Sequence, residues 1–350
     1  MKTLGRYRLV SPLGTGAFAT VWLAHDDNFE LPVAIKVLAD NWARDAEVRE
    51  RFLNEARLMR RISSPRVVGV YDVDITDGQP YFVMDHLPGG TVADLVQRGI
   101  TVPEAIRLAL DASAAVEALH SAGVLHRDLK PSNLLLREGL PDPFVAVADL
   151  GTAKLAADAS GVTLTAGTPA YMAPELVLGT GGFDARADVY ALGVLTYELL
   201  TGQKPLPMRT VTEVAERPPG QPPVAVAEEL GLPPAVDVLL RRTLSTERED
   251  RPASAAAFAA EFTAALQPPP PVTPQGAGAQ QPLPADQVVT EVIPRLQEPI
   301  IEPEQPAPLE PEPEPASEVR RLTPGILVLL AVLLFVVSGV VGWWVSGAFF

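Results

Sequence analysis

The sequence predicts an α+β globular part over residues 1–266, an extended linker over 267–321, and one transmembrane helix over 325–346. Three observations carry this. Strand-like apolar runs punctuated by glycines open the chain. Longer stretches with helical periodicity follow. Then the composition changes twice. The 350-residue chain is 47% hydrophobic, enough for one large domain or two small ones. Its formal charge of −15 lacks the concentrated basic surface that a nucleic-acid partner requires, so none is expected. With no cysteine, disulfides, thiolate metal sites and cysteine nucleophiles are excluded.

The globular part opens with Tyr7–Leu13, a strand-like run, followed by GTGAFATVWLA. Gly14 and Gly16 between two strands allow a tight hairpin whose backbone N–H groups can approach phosphates. Val33–Lys36, VAIK, reads as a short strand ending in a lysine. In RERFLNEARLMRRI, Phe52, Ala56, Met59 and Ile62 recur at helical spacing, with Glu55 beside that stripe and Pro65 stopping the helix. A second helix is expected over 103–122, with Ile106, Leu110, Ala114 and Leu119 on one face and Gly123 ending it.

The stretch VLHRDLKPSN then packs His126, Arg127, Asp128, Lys130 and Asn133 into eight positions. Sixteen residues after Asn133, VAVADLG reads as a strand delivering Asp149 to its C-terminal end. Asn133 and Asp149 offer oxygen ligands to a hard cation such as magnesium. Asp128 remains close by, able to accept a proton or orient a hydroxyl. A glycine loop, a lysine, a metal pair and a base together point to phosphoryl transfer, which works chiefly by positioning and charge neutralisation.

With these pieces assembled, the chain resembles a bacterial eukaryotic-like serine/threonine protein kinase, membrane-anchored. GTGAFATV, VAIK, Glu55, HRDLKPSN, DLG, GTPAYMAPE, DVYALG and Arg251 occur in the family's order over about residues 5–266. The resemblance implies a two-lobed kinase fold: a small β-rich N-lobe at about 1–84 and a larger helical C-lobe at about 88–266. It implies ATP and magnesium as cofactors, with manganese able to stand in, and protein substrates as partners. By the same resemblance, Lys36 binds the α- and β-phosphates and pairs with Glu55. Asp128 orients and deprotonates the substrate hydroxyl. Lys130 neutralises the γ-phosphate and, with Thr168, marks Ser/Thr specificity. Asn133 and Asp149 hold the metal. Leu13, Gly14, Thr15, Gly16, Ala17, Phe18, Val21 and Ala34 enclose the nucleotide. Met84 is the gatekeeper, and the backbone of Asp85 and Leu87 reads adenine. Glu175 forms a buried pair with Arg251, and His126 has a structural role near Leu150 and Met59. Thr165, then Thr163, are the expected activation-loop phosphorylation sites, cradled by Arg127 and Lys154.

Departures from the family pattern are modest. Ala19 stands for the third glycine, DLG for DFG, and REGLPDPF lengthens one turn. None removes a chemical group. The alternative reading is an ATP-binding pseudokinase scaffold that recruits partners at the membrane. Small-molecule kinases share the fold but normally lack APE and the DVYALG helix.

Residues 267–319 hold 15 of the 36 prolines and carry nine acidic residues against Arg295 alone. Such a segment cannot bury enough apolar surface to offset its ordering entropy, so a disordered, partly polyproline linker is expected. Ile326–Val345 is 20 residues without a charge, about 30 Å as a helix and so the thickness of a bilayer core. Arg320 and Arg321 flank its N-terminal side, which orients the globular part to the cytoplasm and a short tail, 347–350, outside. A single-pass protein of the cell membrane results. Ser338, Gly342 and Ser346 lie four apart on one helix face, the spacing that allows helix pairing and a homodimer competent for phosphorylation in trans.

Overall fold

The structure is a computed structural model that describes residues 3–16, 18–138, 142–150, 169–179, 182, 184–206, 208–218 and 222–268. Ala17, Lys154, Thr163, Thr165, Thr168, the linker and the apolar C-terminal stretch lie outside the described residues. Among the described residues, no helix is long and apolar enough to cross a membrane.

Six antiparallel strands build the N-terminal lobe: β1 (Thr3–Leu4), β2 (Tyr7–Thr15), β3 (Ala19–Asp26), β4 (Leu31–Leu38), β5 (Val70–Thr76) and β6 (Gln79–Asp85). Their spatial order is β1-β2-β3-β4-β6-β5. In β4 the side chains alternate between two cores. Ala34 and Leu38 join the main core, whereas Val33 and Ile35 pack with Tyr7, Tyr81 and Val83 on the other face. Alternation along a strand forces this split, so Lys36 shares a face with Ala34.

After the short α1 (Asp40–Ala43), helix α2 (Ala46–Arg60) starts at Asp45, whose carboxylate accepts the amides of Glu47 and Val48. That cap satisfies two of the four orphan donors. The helix buries Phe52, Ala56 and Met59 as expected, and Glu55 with them. It ends at Arg60 and is closed by its own last turn, Arg61 and Ile62 amides bonding to Leu58 and Met59 carbonyls. Pro65 is therefore not the terminator, and Ile62 falls outside the helix.

The second lobe contains α3 (Val92–Arg98), α4 (Val102–Ser121), the hairpin β7 (Leu134–Arg137) and β8 (Phe144–Val147), α5 (Pro174–Leu178), α6 (Ala185–Thr201), α7 (Val211–Ala215), α8 (Ala235–Thr243) and α9 (Ala255–Ala265). Helix α4 buries Ala105, Leu108, Ala109, Ala112, Val116 and Leu119. Of the expected stripe Leu119 is buried, whereas Ile106, Leu110 and Ala114 are half-buried, Ile106 and Leu110 still packed against the core. The helix touches α6, α9 and β8 at once, and small alanines let these neighbours approach on more than one side. Gly123, at φ +73°, follows the end of α4 as expected.

Helix α6 is buried almost all round, as befits a helix enclosed by the lobe. A Cβ on Gly193 would meet Thr243 Cγ2 at 2.6 Å, so this glycine sets the close approach of α6 to α8. Gly89 has a similar role where the chain leaves the sheet: a Cβ there would lie 2.5 Å from the Leu136 carbonyl.

Candidate active site

A cavity of about 420 Å³ lies between the lobes, within the range of small-molecule sites. Leu13, Gly14, Val21 and Ala34 line it from the sheet, Met84 and Asp85 from the end of β6, and Leu87 from the connection that follows. Leu135, Ala148 and Asp149 close it from below. His86, Thr91, Asp94 and Ser132 also line it and were not singled out from the sequence. A capping box marks Thr91 and Asp94: the Asp94 carboxylate accepts the Thr91 amide and hydroxyl at 2.8 Å each. A second cavity, about 440 Å³, is lined by Arg217, Arg241 and Thr246 and contains none of the residues to which the motifs assign a role.

The hairpin from β2 to β3 covers the cavity, with Gly14 opposite Val21 and Thr15 opposite Thr20. Neither Gly14 nor Gly16 has positive φ, so turn geometry does not demand them. A Cβ on Gly14 would meet nothing within 4 Å, and one on Gly16 only the Ala19 carbonyl at 3.5 Å. Open space above the backbone, rather than strain, is what these glycines supply. The Gly16 amide bonds to the Ala19 carbonyl at 3.0 Å and so closes the hairpin. Thr15 lies at the end of β2, and Phe18 packs 6.0 Å from the ring of Trp42 and 6.5 Å from that of Phe52.

Lys36 is 8% exposed and its ammonium lies between two carboxylates. Glu55 Oε1 is 3.3 Å away and Asp149 Oδ1 3.0 Å. Burial pushes its pKa down, but Asp149 and Glu55 together hold it above the ordinary lysine value. The lysine is therefore a fixed cation at the cleft, with Glu55 steadying it from α2.

The loop 124–133 is organised by a residue far along the chain. Asp188, 1% exposed on α6, accepts the amides of His126 and Arg127 at 2.8 Å each. His120 Nε2 also donates to it at 2.8 Å. Burial opposes its charge, yet the His120 hydrogen bond and the neighbouring histidines and amide keep its carboxyl below the usual range. Arg127 is thereby held at φ +65°, a conformation disfavoured for a side chain of its size. Asp188 belongs to DVYALG, but its partners lie more than 60 residues upstream, beyond the reach of any local pattern.

His126 is fully buried and neutral, its pKa lowered by burial. Its Nδ1 accepts the Asp128 amide at 3.2 Å, and its Nε2 donates to the Ala148 carbonyl at 3.0 Å. The imidazole thus ties the loop to the residue preceding Asp149. This is a defined bridging role, more specific than packing.

Asp128 is not idle. Its Oδ2 accepts from Lys130 Nζ at 2.9 Å and from Asn133 Nδ2 at 3.3 Å. Asn133 Nδ2 also donates to the Asp128 carbonyl at 2.8 Å, which leaves the Asn133 Oδ1 as the atom available to a cation. The Ala148 amide bonds to the Asn133 carbonyl at 2.9 Å, so the chain brings Asn133 beside Asp149. Asp149 lies two residues beyond the end of β8, at φ +56°. Among the described residues no cluster of three or more His, Cys, Asp or Glu could form a metal cage. A pair of oxygen ligands suits magnesium, which keeps several waters or phosphate oxygens in its shell.

Glu175 and Arg251 form the expected pair: Arg251 Nη1 and Nη2 reach Glu175 Oε1 and Oε2 at 2.7 and 3.0 Å. Arg251 also donates to the carbonyls of Arg186, Ser245 and Thr246.

A family model described as the protein kinase domain matches residues 7–263. The chain is 38% identical over 272 residues to the serine/threonine-protein kinase Pkn1 of Myxococcus xanthus, covering 75% of this chain and 38% of that protein. It is 36% identical over 266 residues to the serine/threonine-protein kinase PknL of Mycobacterium tuberculosis, covering 74% and 65%. The chain thus spans 38% to 65% of the length of these curated relatives. The crystal structure of the M. tuberculosis PknI kinase domain matches with a TM-score of 0.61 at 30% identity, covering 75% of this chain and 96% of that one. With a two-lobed fold, the motif residues brought together in the cleft and a domain match over most of its length, the chain belongs to the protein kinase domain family.

Proposed function

We propose that this chain is an ATP-dependent serine/threonine protein kinase that transfers the γ-phosphate of ATP to hydroxyls of protein substrates. The observation that carries this is Lys36 placed between Glu55 and Asp149, with Asp128, Lys130 and Asn133 on the loop tied to Ala148, the residue before Asp149. Adenine would fill the cavity against Met84, with the backbone of Asp85 and Leu87 at its edge. Lys36 would hold the α- and β-phosphates. Magnesium on Asn133 and Asp149 would supply charge neutralisation between the phosphates. Asp128 orients the substrate hydroxyl and takes its proton, while Lys130 faces the charge on the transferred group. Lys130 supports the Ser/Thr choice, in keeping with the names of the relatives. A non-transferring scaffold is not favoured, because Lys36, Asp128 and Asp149 are all present and placed together. The test is phosphate transfer from γ-labelled ATP to a protein substrate with magnesium present. Transfer supports the reading, and nucleotide binding without transfer would replace it with the scaffold.

The regulation proposed with this function is phosphorylation of Thr165 or Thr163. By the family resemblance Arg127 and Lys154 would cradle a phosphate there through charge-assisted hydrogen bonds. Replacing both threonines with alanine should lower activity about tenfold, the equivalent of one such bond. Mass spectrometry of active protein should find the phosphate, and undiminished activity of the double variant would refute the switch.

A membrane anchor at 325–346 is part of the same proposal, resting on the uncharged run Ile326–Val345 and its flanking Arg320 and Arg321. The full chain should sediment with membranes and resist alkaline carbonate, whereas a chain ending at residue 268 should stay in the supernatant. Extraction of the full chain by carbonate would rule out a spanning helix.

A further inference from the structure

At the end of β6 one carboxylate gathers donors from both lobes. Asp85 Oδ2 accepts the Gly69 amide at 2.9 Å and Arg137 Nη2 at 2.5 Å, and Oδ1 accepts the Tyr71 hydroxyl. Gly69 and Tyr71 belong to the sheet lobe. Arg137 ends β7, in the helical lobe and 52 residues away. The side chains of Asp85 and Arg137 are 14% and 24% exposed, so water screens this pair only partly. Burial pushes the Asp85 carboxyl up, yet the Tyr71 hydroxyl, Arg137 and the Gly69 amide hold it below its ordinary value, hence ionised.

The surroundings fix this carboxylate further. The Asp85 amide bonds to the Gly69 carbonyl at 2.9 Å. A Cβ on Gly69 would lie 3.3 Å from Asp85 Oδ2, a tight contact that would press the carboxylate back by a few tenths of an ångström. The segment before Gly69 is pinned to β8, the Val68 amide on the Val147 carbonyl and the Val147 amide on the Arg66 carbonyl, both at 2.9 Å. Asp85 lines the nucleotide cavity, and Arg137 does not.

We propose that Arg137 is a positioning residue for the nucleotide: through Asp85 it clasps the connection between the lobes and holds the backbone of Asp85 and Leu87 in register with adenine. Tyr71 is the second arm of the clasp. The inference rests on the ATP reading above. It predicts a particular split. The clasp touches neither Lys36 nor Asp128, so loosening it weakens nucleotide binding and leaves the chemical step alone. A ground-state effect raises KM and spares kcat.

The test uses the full-length protein and a fluorescent ATP analogue, with steady-state kinetics in parallel. Arg137→Gln should raise the dissociation constant and the KM for ATP about five- to tenfold, with kcat within about twofold of wild type. Arg137→Lys, which keeps the charge but loses the planar fork, should recover most of the affinity. Tyr71→Phe removes one hydroxyl from a half-exposed ring, so it should fold normally and raise KM about two- to fourfold. KM values within twofold of wild type in both Arg137→Gln and Tyr71→Phe would overturn the proposal. So would a fall in kcat and melting temperature, alike in Gln and Lys variants, without a change in KM. Failure of the wild-type protein to bind the analogue would instead remove the nucleotide reading itself, and the clasp with it.

Discussion

Asp128→Asn should slow phosphate transfer about 10²- to 10⁴-fold while ATP binding changes little. The carboxylate is held in place by Lys130 at 2.9 Å and by Asn133, so its geometry is set before any substrate arrives. Asparagine has the same shape and keeps an acceptor oxygen for Lys130. What it loses is the basic oxygen that orients and deprotonates the incoming hydroxyl. Most residues lining the nucleotide cavity lie on other elements, the sheet and the connection after β6, so binding should survive. Transfer of label from γ-labelled ATP, measured beside analogue binding, separates the two effects. Wild-type transfer by Asp128→Asn would reassign the base. Loss of binding and transfer together would mean that the loop, rather than the proton acceptor, had been damaged.

The second large effect concerns stability. Arg251 has a side chain with no exposed surface and Glu175 one that is 11% exposed, so neither partner can turn to water if the other is removed. Arg251→Ala leaves a buried carboxylate uncompensated and three carbonyls without their donor. Breaking such a pair costs about 3–5 kcal/mol. For a domain of this size that corresponds to a melting midpoint lower by about 6–20 °C. Replacing both residues with apolar ones of similar volume should recover much of the loss, because no orphan charge remains. Calorimetry on the two single variants and the double variant checks this. A single variant within about 1 kcal/mol of wild type would show that water reaches the pair, contrary to the burial seen.

Local pattern made much of this molecule legible. The apolar run Val33–Lys36 is a strand because neighbouring side chains on it face two cores. The stripe Phe52, Ala56, Met59 is buried because one face of α2 meets the sheet. Gly123 ends α4 in the left-handed conformation its position requires. The order and spacing of Lys36, Glu55, Asp128, Asn133 and Asp149 already pointed to a phosphate-handling site. Local pattern failed where a segment has neighbours on more than one side. Helix α4 buries Leu108, Val116, Leu119 and several alanines and packs Ile106 and Leu110 only partly against the core, because α6, α9 and β8 crowd it from more than one side. Pro65 looked like a stop for α2, yet the last turn closes itself on Leu58 and Met59 first.

By itself, then, the sequence determined which chemical groups are available and in what order along the chain: a lysine on a strand, a glutamate on a helix, an aspartate and asparagine on one loop, an aspartate after a strand. These are consequences of residue type and short-range periodicity, which the chain carries locally. Only the tertiary structure decided how they act. It put Lys36 between Glu55 and Asp149, tied the loop of Asp128 to Asp188, and joined Asp85 to Arg137 across the lobes. The physical reason is that a buried polar group must find its partners wherever the folded chain brings them, and those partners lie 19 to 113 residues away. No local pattern in the sequence records such a pairing.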